Sequence, residues 1–425
     1  MTTDNRELWT ELGIDLRRHD ALLEGLSPAF GQVYLAQQDR PQGMAFYDAV
    51  VGDIHGIRVH ELRDFARDGG KVVATYCVFV PEEIVLAAGA VPVGLCGGAQ
   101  FSVPLAEEVL PRNTCPLIKS SFGFKLGRIC PYVQTSHLIV GETTCDGKKK
   151  MFELLGQYHP VYVLEVPHKK TALSRDLWRG EVRAFAGQME RLTGTSLTPE
   201  RMARGIALAN ARRRALQRLH ALRRHRPVPI SGKDALLVTQ VAFYDDVERC
   251  VQQVNALSYE LDERVAAGNG VFPAKAPRIL VAGSPMAIPN WKLHHVLESA
   301  GAAVVCEESC TGTRYFSGLV PEDGATLDAQ LNAIADRYLN IHCACFTPNE
   351  ERIGDIISLA HEYEADGVVH YNLQFCQPYA NEAVKVERAL SAARIPVLRV
   401  ETDYGGEDSG QLRTRVEAFL EMLRE

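Results

Sequence analysis

The chain has 425 residues, 46% hydrophobic and 23% charged, with a formal net charge of −7. That length exceeds one ordinary core and predicts two or three domains, and the acidic balance argues against a nucleic-acid surface as its main business. No apolar run reaches the roughly 20 residues of a membrane helix, and the polar start MTTDNRELWTELGIDLRRHD has no apolar signal region, so a cytoplasmic protein is expected.

Residues 1–66 show helical and loop patterns without a strand signal and read as an N-terminal helical extension. Then KVVATYCVFV reads as a short buried strand. PEEIVLAAGA follows as a helix, with Pro81 in its first turn and Gly89 at its end, and VPVGLCGG is the next strand. SHLIVGETTC, the helix DGKKKMFELLGQY and the strand PVYVLEVPH complete a first α/β domain over 67–167. Strands alternating with helices imply a parallel sheet covered on both faces. Residues 168–272 lose the strands and read as a helical segment. Within it, the basic run ANARRRALQRLHALRRHR has Ala and Leu interspersed and reads as a solvated helix face rather than a nucleic-acid contact. Residues 273–425 return to the alternation: RILVAGSP, a helix through WKLHHVLESAG, AAVVCEE, then DGVVHYNLQFC, NEAVKVERALSAA and IPVLRVETD. The expected architecture is α/β. Two similar Rossmann-like parallel-sheet domains flank the helical segment, and the N-terminal helical extension precedes them.

In a reducing compartment the 11 cysteines are buried hydrophobes, catalytic thiols or metal ligands rather than disulfides. Burial is the ordinary reading of Cys250, in the helical VERCVQQVNAL, and of Cys96 and Cys306, which end VPVGLC and AAVVC. Cys145 and Cys376 differ, because each sits at a strand's carboxyl end just before a helix. Ligands collect there in open parallel sheets, and the helix dipole favours thiolate. Cys115 and Cys130 lie in an irregular stretch of the first half, at the same interval as Cys130 and Cys145. The matching stretch of the second half, IHCACFTPNEE, carries Cys343 and Cys345. Six thiolates facing one interdomain cleft are too many for one tetrahedral metal and suit iron–sulfur cubanes. There is no paired CxxC for zinc or thioredoxin-like chemistry. Nor is there a phosphate-binding loop, or a GxGxxG after a strand, so no nucleotide site is expected.

The block CPLIKSSFGF, CPY and SHLIVGETTCDGKKKMFELL resembles a known family, as do TYCVFVPEEIVLAAGAVPV, CTGTRYF, the CAC element before Pro348 and Asn349, and IPVLRVETDYG. The resemblance, over residues 67–425, is to the double-cubane-cluster branch of the 2-hydroxyacyl-CoA dehydratase and benzoyl-CoA reductase superfamily. Simpler members bind one 4Fe–4S cubane through three cysteines, which correspond by motif to Cys115, Cys145 and Cys376. The double-cubane branch holds two cubanes joined by a sulfide, an 8Fe–9S cluster. For the second cubane this chain offers Cys130, Cys343 and Cys345. Cys77 and Cys310 lie in segments shared with single-cubane relatives, which implies packing or supporting roles, with Cys310 an alternative to Cys343.

The resemblance also implies a partner, a separate ATP-hydrolysing iron–sulfur reductase (activator) protein. The chain lacks an ATPase signature and so resembles the electron-accepting component: an oxidoreductase acting on a small-molecule substrate, as a homodimer, without nucleic acid or membrane. A second reading is a 2-hydroxyacyl-CoA dehydratase subunit with a single 4Fe–4S cluster; a third is a non-catalytic electron store. No acid or base is assigned. His342 and His370, near ligand cysteines, read as structural, and Glu82 and Glu83 as complements to a helix dipole. Lys148, Lys149 and Lys150 read as either surface lysines or partners of cluster charge.

Overall fold

The computed structural model describes residues 5–95 and 97–424. Its strands form two four-stranded parallel sheets. The first contains β1 (Val72–Thr75), β2 (Val91–Gly94), β3 (Leu138–Glu142) and β4 (Val161–Leu164), in the order β2-β1-β3-β4. The second contains β5 (Arg278–Gly283), β6 (Ala303–Glu308), β7 (Gly367–Leu373) and β8 (Val397–Thr402), in the equivalent order β6-β5-β7-β8. The α/β architecture expected from the strand–helix alternation is therefore present twice. In each sheet the chain grows to one side of the first strand and then crosses to the other. This leaves a crevice at the carboxyl ends of β1 and β3, and another at those of β5 and β7. β1, β3, β5, β6 and β7 are buried along their whole length, which explains their apolar runs, although Glu142, Arg278, Glu307, Glu308, His370 and Asn372 are buried within them too.

The first 67 residues contain the helices Arg6–Glu11, Leu16–Phe30, Met44–Gly52 and Ile57–Arg67, with no strand among the described ones. They are tied together by the Trp9 indole, which donates to the His55 carbonyl at 2.8 Å. Arg40 bridges Asp48 and Asp234, at 2.8 and 2.9 Å, anchoring the extension to the helical segment. That segment comprises Ala172–Thr193, Pro199–Leu222, Gly232–Ala242 and Val247–Ala266. Each of these helices starts on a capping side chain, Thr171, Thr198, Ser231 or Asp246, that accepts from the first-turn N–H groups. No helix among the described residues is long and apolar enough to cross a membrane.

Two expectations are corrected. The basic run is not a uniformly solvated face: Arg212, Arg213 and Arg223 are buried, while Arg214, Arg218 and Arg224 remain at the surface. The helix Pro199–Leu222 runs through the interior against the short helix Glu82–Ala87. Gly205 permits the approach, since a Cβ there would lie 2.3 Å from the Glu83 carbonyl. Buried guanidinium groups need acidic partners. Arg212 pairs with Glu82, Arg213 with Glu83 at 2.6 Å, and Arg223 with Glu307 through two bonds of 2.6 and 2.7 Å. Glu82 and Glu83 are thus internal counter-charges as well as first-turn acids. The second correction concerns the stretch holding Cys115 and Cys130. It is not irregular; it contains the helices Pro116–Leu126 and Pro131–Thr135, each begun by a Cys-Pro pair.

Candidate metal centre

The carboxyl ends of both sheets open onto one cavity of about 880 Å³. Its walls come from the turns after β1, β2 and β3 in the first half and after β5, β6 and β7 in the second. Among the described residues seven thiols line it: Cys77, Cys115, Cys145, Cys310, Cys343, Cys345 and Cys376. Five of these are among the six candidates read from the sequence. The sixth, Cys130, is buried and is not on the cavity wall.

Local structure explains where these thiols point. Cys145 occupies the N-cap of helix Asp146–Leu155, and its sulfur accepts the Lys148 N–H at 3.4 Å. Cys115 caps helix Pro116–Leu126 and is met by the N–H groups of Leu117 and Ile118. Cys376 caps Gln377–Ala392 and is met by the Tyr379 N–H and the Ser284 hydroxyl. The turn from β7 into Cys376 runs through Phe375 at φ 61°, a left-handed conformation uncommon outside glycine. Cys343 lies 3.6 Å from the Tyr379 hydroxyl, and its carbonyl accepts from Asn349 at 3.0 Å. Tyr379 therefore touches thiols of two groups, Cys376 through its backbone and Cys343 through its side chain.

The thiols fall into neighbouring pairs. Cys376 stabilises a thiolate on Cys115 and so lowers the Cys115 pKa, while the Cys376 thiol itself is driven up by that neighbour and by burial. Cys345 does the same for Cys343, helped by the Arg314 guanidinium, and the Cys345 pKa rises in turn. Each pair thus gives up its first proton readily and its second reluctantly. Burial pushes Cys310 up to about 11 and raises Cys145 and Cys77.

Two buried ion-pair systems stand behind the thiols. Behind Cys77 and Cys145, Lys148 is bound to Glu142, which is wholly buried at the end of β3. Burial raises the Glu142 pKa, against the pull of Lys148. Lys149 and Lys150 instead face solvent, paired with Asp146 and Glu153 at 2.8 and 2.7 Å. Behind Cys310 and Cys343, Arg314 binds the Tyr379 hydroxyl and, at 3.0 Å, Glu308. Glu308 also holds Arg352, which binds Glu382.

The remaining cysteines and histidines lie elsewhere. Cys130 caps Pro131–Thr135, with its pKa pushed up to about 11 by burial. Cys250 and Cys306 are buried off the cavity, and Cys96 falls outside the described residues. His342 pairs with Asp355 at 2.5 Å on a smaller cavity. His370 is buried inside β7, where burial and nearby arginines hold its pKa to about 3. Arg213, Tyr315, Arg337, Tyr338 and Tyr379, all on the cavity, were not anticipated. Only the basic and aromatic residues of CTGTRYF offered a signal in the sequence.

Among the described residues no three His, Cys, Asp or Glu side chains converge to hold a single ion. The thiols instead surround a space large enough for a multinuclear group, and an all-thiolate donor set is the one iron–sulfur clusters take.

Comparison with known proteins places the chain in a family. The family model described as 2-hydroxyglutaryl-CoA dehydratase, D-component, matches residues 77–423. The putative dehydratase subunit YjiM of Escherichia coli K12 is 40% identical over 363 residues, covering 85% of this chain and 93% of that protein. The (R)-2-hydroxyglutaryl-CoA dehydratase subunit beta of Acidaminococcus fermentans is 24% identical, covering 85% of this chain and 95% of its own length. A benzoyl-CoA reductase subunit of Thauera aromatica is 21% identical, covering 81% of this chain and 87% of its own length. The chain belongs to the 2-hydroxyglutaryl-CoA dehydratase D-component family, within the 2-hydroxyacyl-CoA dehydratase and benzoyl-CoA reductase superfamily.

Proposed function

We propose that the chain is the electron-accepting iron–sulfur component of an ATP-dependent low-potential reductase, working as a homodimer on a small substrate. The observation that carries this reading is the ring of seven thiols, from both halves, on one cavity. An 8Fe–9S double cubane fits that donor set, with Cys115, Cys145 and Cys376 as one group of ligands and Cys310, Cys343 and Cys345 as the other. In this assignment Cys310 takes the place expected for Cys130. Such a cluster, when bound, supplies one-electron chemistry at low potential.

The chain's own residues set the surroundings of that chemistry. The Lys148 N–H donates to the Cys145 sulfur, N–H groups of the following helix turn lie close to Cys115 and Cys376, and the Tyr379 hydroxyl lies beside the Cys343 sulfur. Lys148 and Arg314 bring positive charge close to both thiol groups. Donors and positive charge favour the more negative, reduced state of a cluster.

Relatives named as subunits support a partner protein, here an ATP-hydrolysing iron–sulfur activator. The test is anaerobic reduction followed by spectroscopy. The protein should be reduced only when such an ATPase and ATP are both added, and the pure chain should hydrolyse no ATP. ATP turnover proportional to the concentration of the pure chain would overturn the reading.

The names of the relatives favour a second reading, a dehydratase subunit, and for it we infer a single 4Fe–4S cluster. Elimination of water from a 2-hydroxyacyl-CoA by the reduced protein, without net consumption of electrons, would establish it instead.

A further inference from the structure

Part of the cavity wall carries no thiol. There Glu82, Arg213 and Arg337 reach the wall, with their partners Arg212 and Glu83 behind them, all no more than 8% exposed. Arg212 is matched by Glu82 and Arg213 by Glu83. The Tyr338 hydroxyl donates to Glu83 at 2.8 Å and accepts from Arg213 at 3.1 Å. Arg337 touches no carboxylate. Its Nε donates to the Gly318 carbonyl at 3.3 Å, and one terminal nitrogen donates to those of Tyr315 and Ser317 at 2.8 and 3.0 Å. Its other terminal nitrogen makes no hydrogen bond among the described residues. Three guanidinium groups and two carboxylates leave one buried positive charge in excess, with Glu83 drawn on by both Arg213 and Arg337. Burial and the neighbouring Arg213 outweigh the pull of Tyr338, Glu83 and Glu82 and bring the Arg337 pKa down to about 10.

Burying an unmatched cation is costly unless an anion joins it. Arg213, Arg337 and Tyr338 line the same cavity as the thiols. Arg337 also borders a smaller cavity of about 380 Å³, where Glu308, Asp355 and Glu362 outnumber Arg314 and Arg337, whereas on the thiol cavity Lys148, Arg213, Arg337 and Lys385 outnumber Glu82, Asp146 and Glu382. On the thiol cavity, Tyr315, whose carbonyl holds Arg337, stacks on Phe243, and both offer apolar contact to a carbon skeleton. We propose that this wall binds the carboxylate of a small organic acid, with Arg337 as its main ligand. The planar guanidinium fork suits a carboxylate, and one negative charge restores neutrality. This deepens the reductase reading by naming its substrate class, and rests on that reading only for the fate of the bound acid.

The test is titration calorimetry on the anaerobically isolated full chain, with acetate, benzoate, inorganic phosphate and free coenzyme A as separate probes. The carboxylates should bind, with sodium chloride weakening them. Arg337→Gln should weaken them about ten- to a hundredfold, the worth of one charge-assisted hydrogen bond. Arg337→Lys keeps the charge but loses the fork, and should give a smaller loss. Should the Gln variant fail to fold, the Lys variant decides, and carboxylate affinity unchanged from wild type would overturn the proposal. So would no carboxylate binding by wild type, equal binding by a folded Gln variant, or preference for phosphate or coenzyme A. Iron content, measured on the same samples, reports separately on the reductase reading. A protein with full iron that binds no carboxylate would fail this inference alone.

Discussion

Thiols at the carboxyl ends of β3 and β7 face the cavity because each caps a helix that starts there. Replacing Cys145 or Cys376 by Ala removes a sulfur from the proposed ligand set, and anaerobically purified protein should then lose most of its iron. Cys250→Ala and Cys130→Ala should keep it, since neither thiol lines the cavity. Each should cost less than about 2 kcal/mol in a denaturant titration, the low end for a buried large-to-small change, because only one sulfur is lost. Loss of iron in a folded Cys130→Ala protein would return Cys130 to the ligand set. At this scale the sequence was informative but incomplete. A strand-end Cys before a helix is a local pattern, so Cys145 and Cys376 could be read directly. Cys115 and Cys130 share another local pattern, Cys-Pro at a helix start, yet one thiol meets the cavity and the other the core. Which way a helix N-terminus faces depends on packing that the pattern does not contain.

Elements that cross the middle of the molecule are held by buried charge. Arg223, just beyond helix Pro199–Leu222, clamps Glu307 of β6 with both terminal nitrogens, and the His294 ring lies 3.0 Å from the same carboxylate. Glu307→Ala would leave Arg223 buried and unpaired, and should destabilise the protein by about 3–5 kcal/mol. A denaturant midpoint near wild type would show that water or rearrangement compensates. The strands were legible because burial on both faces leaves short apolar runs such as VVA, ILVA and AVV. The charged locks were not, since their partners lie far apart in sequence: Arg212 with Glu82, and Arg223 with Glu307. Nor was helix Pro116–Leu126, which is buried almost all round and so lacks the polar face that marks a surface helix.

Across the whole molecule, histidines held neutral in the fold contribute to the loss of stability in acid. Burial lowers His220 and His370 to about 3, and His19 and His159 to about 4, from an ordinary 6.5. As pH falls below 6.5 the unfolded chain takes up these protons while the folded chain does not. The stability contributed by keeping the histidines neutral is therefore complete above 6.5 and is lost progressively below it. His220, whose Nε2 lies 3.1 Å from the Thr239 hydroxyl, is the cleanest probe. His220→Gln can keep a bond to Thr239, and the stability lost between pH 7 and pH 5 should shrink by about 2 kcal/mol. An unchanged pH profile would contradict the assignment.

The two sheets matter most through what they share. Each brings thiols to its own switch-point crevice, and the crevices open on one cavity, so the proposed cluster needs both halves. Anaerobic iron and acid-labile sulfide analysis of the wild-type chain tests this most directly. Six cysteine ligands with bridging sulfide predict about eight irons per chain. A reproducible value near four, with the spectrum of a single cubane, or protein that folds without iron under strictly anaerobic conditions, would contradict it.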